Sequence, residues 1–210
     1  AERYLALAWH YHAAGRADMA GLAYRIHRDL EREAPLPNLW TPEAEDLAPA
    51  NPSGTLQGGG RKCVAHVTVG PAGRKSSWDG AVYALRVNGG EPHYLYDPIL
   101  DRLGQFYPLN VAARTVKRGW PSSDPRSCNK VGDRLIQIEF IAMPDGFIRY
   151  WKPGPNYRAM MRDIRAQGVP DVWFAGPVAQ TPREDRRVSW STYVNGAGWL
   201  GHSNVPMNDH

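Results

Sequence analysis

The segment Arg134-Leu135-Ile136-Gln137-Ile138-Glu139-Phe140-Ile141 constrains this chain more than any other stretch. Its β-branched and aromatic residues make it the clearest strand signal in the chain. Glu139 stands inside that apolar run. A carboxylate placed there is paired, raised in pKa, or positioned for chemistry. A second strand is predicted at Lys62-Cys63-Val64-Ala65-His66-Val67-Thr68-Val69, ending at Gly70-Pro71. His66 lies within it, and burying an imidazole is costly unless both ring nitrogens are satisfied. A metal on one nitrogen and a hydrogen-bond acceptor on the other would satisfy them.

Around these two strands the pattern is mixed, which places the domain in the α/β (α+β) class, with a mixed central β-sheet flanked by helices. Residues 74–90 read as a polar loop, then a strand-like Ala81–Val87 and an Asn88-Gly89-Gly90 turn. Pro92–Tyr96 and Gln105–Leu109 read as extended, and residues 118–130 as a turn-rich insert carrying Trp120 and Cys128. Tyr157–Gln167 has helical composition, with Met160, Met161 and Ile164 on one face and Gly168 placed to stop it. Asp171–Phe174 leads into a loop rich in Pro and Arg. Ser189 is placed to cap a short helix through Val194, ended by Gly196 and Gly198.

Ahead of this domain, residues 1–34 carry apolar residues at helical spacing on either side of Gly15-Arg16-Ala17-Asp18, which predicts an α-hairpin. His10, His12 and His27 fall there without a second ligand type and read as surface or packing residues. Residues 35–60 hold Pro35, Pro37, Pro42, Pro49 and Pro52 and close on Gly58-Gly59-Gly60. That composition predicts a linker and sets the main domain at 61–210.

Among 210 residues, 42% are hydrophobic and 22% charged, and no run approaches the roughly 18 apolar residues of a membrane span. No secretory signal is visible either. The net charge of +4 is compatible with an anionic partner such as a bacterial wall or a nucleic acid. The basic residues are scattered, which argues against a nucleic-acid module. Cys63 and Cys128 read equally well as a disulfide or as two buried thiols.

The final stretch, Gly201-His202-Ser203-Asn204-Val205-Pro206-Met207-Asn208-Asp209-His210, carries two imidazoles eight residues apart on a loop too rich in Pro, Asn and Gly for a helix. Such a loop can aim both rings at one divalent metal, and imidazole is the commonest ligand for zinc; the stretch reads equally well as a frayed tail carrying two solvent-exposed histidines.

Taken in order, His66-Val67-Thr68, Pro92-His93-Tyr94, Asn129 ahead of Ile136-Gln137-Ile138-Glu139, and Gly201-His202-Ser203-Asn204-Val205-Pro206 resemble the zinc N-acetylmuramoyl-L-alanine amidases. This amidase_2 family shares its fold with the peptidoglycan recognition proteins and the amidase-type phage endolysins. The resemblance covers about residues 60–210. It implies zinc held by His66, His202 and a third ligand, with Glu139 as the catalytic acid/base. The bond cut would be the amide between N-acetylmuramic acid and L-alanine. It further implies that Thr68, His93, Tyr94, Asn129 and Trp199 line or support the substrate groove.

The third ligand has two registers. In one, His210 is the ligand and Asn208 stands where the family has a catalytic Lys. In the other, His210 is the acid/oxyanion residue and the ligand is an Asp two positions further on, so that the chain is a fragment. The second register fits the Asn-Asp-His ending better. Trp78, Trp120, Trp199 and Tyr94 can stack on sugar or peptide, although aromatic residues at such spacing more often build core. The resemblance also implies action on the bacterial cell wall, by a phage-encoded or secreted protein, with the hairpin as a possible docking element. Two competing functions are a non-catalytic peptidoglycan-binding module and a structural component of a phage tail.

Overall fold

The computed structural model describes residues 37–49, 54–68, 70–117, 119–142, 151–179 and 183–207. The predicted hairpin at 1–34, with His10, His12 and His27, lies outside the described residues, as does His210. The unit described below begins at Asn38.

Six strands form one sheet in the order β1-β4-β3-β5-β2-β6. They are β1 (Glu45–Asp46), β2 (Lys62–Val67), β3 (Tyr94–Asp97), β4 (Arg102–Gln105), β5 (Leu135–Phe140) and β6 (Gly198–Gly201). Three helices join them: α1 (Lys75–Val87), α2 (Pro155–Ala166) and α3 (Trp190–Asn195). All neighbours run parallel except the β3–β4 hairpin. The two strands that the sequence marks most strongly, β2 and β5, lie side by side at the centre. The predicted mixed sheet flanked by helices is the fold observed.

Alternation along β2 and β5 sends successive side chains to opposite faces. Cys63, Ile136 and Ile138 pack with Tyr94, Tyr96, Met160, Met161 and Ile164 on the α2 side. Val64 and Leu135 pack with Tyr193, Val131 and Val205 on the other face. There, too, Leu95, Trp78 and Phe106 pack beneath α1. Cys63 and Cys128 are both free thiols, and they belong to these two opposite layers.

Three sequence expectations are corrected. Ala81–Val87 is the second half of α1, not a strand. The apolar residues Trp78, Ala81, Val82 and Leu85 recur at helical spacing and all meet one core layer. The extended run expected at Gln105–Leu109 begins where β4 ends, because Pro108 has no N–H for a ladder. The linker expected at 35–60 instead docks from Asn38 onward. Glu45–Asp46 extends the sheet beside β4, Leu47 is buried, and Thr41 Oγ1 pairs with the Tyr94 hydroxyl at 2.6 Å.

Two distant side chains fix helix and strand ends. The first residue within α2 is Pro155 and its N-cap is Gly154, which has no capping side chain. Asp101 serves instead, accepting from Asn156 N at 2.9 Å and Tyr157 N at 3.1 Å. Lys62, fully buried at the start of β2, donates to the carbonyls of Gly60 (2.8 Å), Val131 (3.3 Å) and Val194 (3.5 Å). Burial pushes its pKa down to about 8, opposed by the charge of Asp133.

His93 has a structural role. Its Nδ1 accepts from Gln137 N at 3.0 Å, and Nε2 donates to Val111 O at 3.0 Å. Both nitrogens are thereby satisfied in the neutral ring, and burial pushes the pKa down to about 4. The unfolded chain, near 6.5, binds this proton first, so the contribution of His93 is complete above about pH 6.5 and lost as pH falls towards 4. The pKa difference corresponds to about 3 kcal/mol. Urea unfolding at pH 7 and pH 4 is expected to show a loss larger by that order in the natural chain than in His93→Gln.

Candidate active site at the carboxyl ends of β2, β5 and β6

Strand register brings the predicted residues together. His66 is aligned with Glu139 on β5, and Glu139 with Leu95 on β3. On the other side of β2, Ala65 pairs with Gly201, the last residue of β6. His202 therefore emerges next to His66. Aligned residues of neighbouring parallel strands share a face, so this row crosses the sheet on the side away from α2. It lies at the carboxyl ends of adjacent parallel strands, where open α/β sheets place their ligands.

The turn that carries His202 explains the closing motif residue by residue. A Cβ on Gly201 would stand 2.3 Å from Val178 Cγ1, so that position takes no side chain without displacing Val178. Asn204 is buried; its Oδ1 accepts from Gly201 N at 3.1 Å, and its Nδ2 donates to Pro177 O and Arg186 O at 3.1 and 3.0 Å. Val205 closes the 3-10 turn through its N–H to His202 O at 3.0 Å and fills the core layer below. His202 is thus set by a rigid turn, not by a loose tail.

The two imidazoles meet edge to face, 4.4 Å between ring centres, with Nδ1 of each directed at Nδ1 of the other. Burial, and then the charge of His202, holds the pKa of His66 well below the usual imidazole range. Two nitrogen lone pairs converging in this way suit a divalent cation, which neutral imidazole ligates through such a lone pair. His66 Nε2 is buried without a hydrogen-bond partner, so the acceptor expected behind it is absent among the described residues. Among those residues, no group of three His, Cys, Asp or Glu forms a complete metal site. His66 and His202 fit two positions of one.

Glu139 is 6% exposed, and burial alone pushes its pKa up to about 8. Its carboxyl opens into a cleft of about 420 Å³ between α1 and the ends of β2 and β5. Thr68 shares this cleft, and its Oγ1 has no hydrogen-bond partner among the described residues. The opposite wall is made by Ser77, Gly80, Ala81, Ala84 and Asn88 of α1 and its cap. These small residues repeat at helical spacing, a signal that reading Ala81–Val87 as a strand concealed.

The remaining predicted groove residues lie elsewhere. Tyr94 is fully buried on the α2 side, and Trp199 packs on that same side, opposite the histidine pair. His93 is the structural residue described above. Asn129 accepts from Ser127 Oγ at 2.6 Å within its turn. Trp78 is core under Arg102, and Trp120 packs against Trp190 with Arg126 over its ring.

Fold and site together define a mixed α/β domain with paired imidazoles and a buried carboxyl at its strand ends. No protein-family model and no curated protein matches the chain. Among solved structures it is similar to the hydrolase AmiA of Staphylococcus aureus, crystallised in complex with its ligand. The TM-score is 0.41 at 12% identity, over 78% of this chain and 67% of that one. At that distance the likeness carries no functional argument.

Proposed function

We propose that this chain is a zinc-dependent peptidoglycan amidase that hydrolyses the amide between N-acetylmuramic acid and L-alanine. The observation that carries the reading is the row formed by Glu139, His66 and His202 at the ends of three adjacent parallel strands. Three of the segments that resemble the zinc amidases, those carrying His66, Glu139 and His202, meet in that row, while Pro92-His93-Tyr94 and Asn129 lie away from it.

His66 and His202 would hold the zinc through Nδ1, with a third ligand still needed, and His210 would serve either as that ligand or as the acid/oxyanion residue beside the metal. When bound, the metal supplies a water of lowered pKa and a Lewis acid for the amide carbonyl. Glu139 holds and moves the proton. Glu139 lines the cleft and has no competing hydrogen bond among the described residues, and its pKa of about 8 lets it both accept a proton and return one to the leaving amine. The α1 wall offers small side chains along which an extended substrate can approach, and Thr68 Oγ1 offers a spare donor and acceptor. The net charge of +4 favours an anionic wall polymer.

The test is incubation of the full chain with purified cell wall and zinc. New N-terminal alanine amino groups without new reducing sugar ends are the expected products. Zinc bound at one equivalent with wall binding but no cleavage would replace this reading by that of a binding module. New reducing ends would replace it by a glycosidase.

A further inference from the structure

We propose a second site, on the opposite face of the sheet from Glu139: a glycan-binding surface that takes an N-acetylated hexosamine ring. A shallow concavity of about 330 Å³ is lined by Met161, Arg165, Asp171, Val172, Trp173 and Trp199. Trp173 and Trp199 are bridged in parallel, which puts both side chains on one face, where both line the concavity. The pairing is fastened by Trp199 N to Val172 O (2.7 Å) and Phe174 N to Trp199 O (3.2 Å). Trp173 is 48% exposed, yet its indole N–H is tied to Gly176 O at 2.5 Å, so the ring is held in place while exposed. A fixed, exposed indole loses little conformational freedom when a ligand covers it.

Beside the indoles, Arg165 Nε and Asp171 Oδ2 pair at 2.6 Å. That leaves the terminal guanidinium nitrogens and the second carboxylate oxygen for a ligand. Flat apolar rings next to a matched donor and acceptor suit a pyranose, whose C–H face is apolar and whose hydroxyls both donate and accept. The concavity is the size of one or two such rings. It differs from a β-addition site, because Trp173 already covers the outer edge of β6. The choice of an N-acetylated hexosamine rests on the peptidoglycan reading; the stacking geometry does not.

The two sites lie on opposite faces, so a glycan strand could be held on one while the cleft works on another. The probe is tetra-N-acetylchitotetraose, titrated into the full chain and followed by tryptophan fluorescence and calorimetry. Saturable binding is expected, weakened about tenfold or more by Trp173→Ala and by Asp171→Asn, and unchanged by Glu139→Gln. Asp171→Asn keeps the packing, so the proposal does not depend on how Trp173→Ala folds. No saturable binding overturns it. So does binding indifferent to both variants, and so does a self-association that Trp173→Ala abolishes in the absence of sugar binding. Sugar binding retained in a protein that cleaves no wall would sink the amidase reading alone, and cleavage retained without sugar binding would sink this surface alone.

Discussion

Glu139→Gln is expected to lower release of alanine-terminated peptide from cell wall by about 10²–10⁴-fold, the usual contribution of a positioned acid/base. The substitution is close to isosteric, and Glu139 owes its raised pKa to burial alone, so no hydrogen-bonded partner is orphaned. Stability should not suffer. In the metal-free protein the folded pKa of about 8 lies above the ordinary 4.5, so the carboxyl's contribution is complete below about pH 4.5 and is lost as pH rises through 8. A neutral amide escapes that loss, and thermal unfolding at pH 8 should find Glu139→Gln at least as stable as the natural chain. Zinc content should be unchanged, because His66 and His202 keep their turn and register. Equal cleavage by both proteins would remove Glu139 from the chemistry.

The largest effect on stability is expected at Gly60, a residue whose neighbours read as linker. A Cβ there would lie 2.1 Å from Gly196 O and 2.7 Å from Asn195 O, both backbone atoms at the end of α3. Gly60 N also donates to Val194 O at 2.8 Å, so the close approach is itself hydrogen-bonded. Backbone cannot rotate away as a side-chain tip can. Gly60→Ala is therefore expected to cost about 3 kcal/mol, which lowers Tm by roughly 6–12 °C for a domain of this size. Gly80→Ala is the opposite case. It sits inside α1 with nothing within 4 Å of a new Cβ, and should gain roughly 0.5–1 kcal/mol. Paired calorimetric scans decide both. Equal stability of Gly60→Ala and the natural chain would mean that the α3 end gives way freely.

These contrasts show what the sequence made legible. β2 and β5 were readable because long apolar runs leave few alternatives, and His66 and Glu139 stood out as polar residues inside them. The α2 and α3 boundaries followed from Gly168 and from Ser189, whose hydroxyl does cap Thr192 N. β1 was not readable, since two polar residues between prolines carry no strand signal; only tertiary pairing with β4 makes them one. α1 was misread because Ala81, Tyr83, Leu85 and Val87 mimic alternation when Trp78 is left out of the window. Side-chain direction was the other gap. Tyr94 and Trp199 were selected by position in a motif, and only the register with Ile138 and Cys63 reveals that both face α2.

The order of the strands also sets a timetable. β2 is made early, but it pairs on one side with β5 and on the other with β6, whose first residue is Gly198. His66 and His202 are 136 residues apart in sequence. A growing chain emerging from the ribosome can assemble β2, β3, β4 and β5 while the second imidazole is still unmade. Contacts of such long range form late in folding. A chain that has the pair has therefore already built the sheet beneath it, so an incomplete or misfolded copy carries Glu139 without the histidine pair beside it.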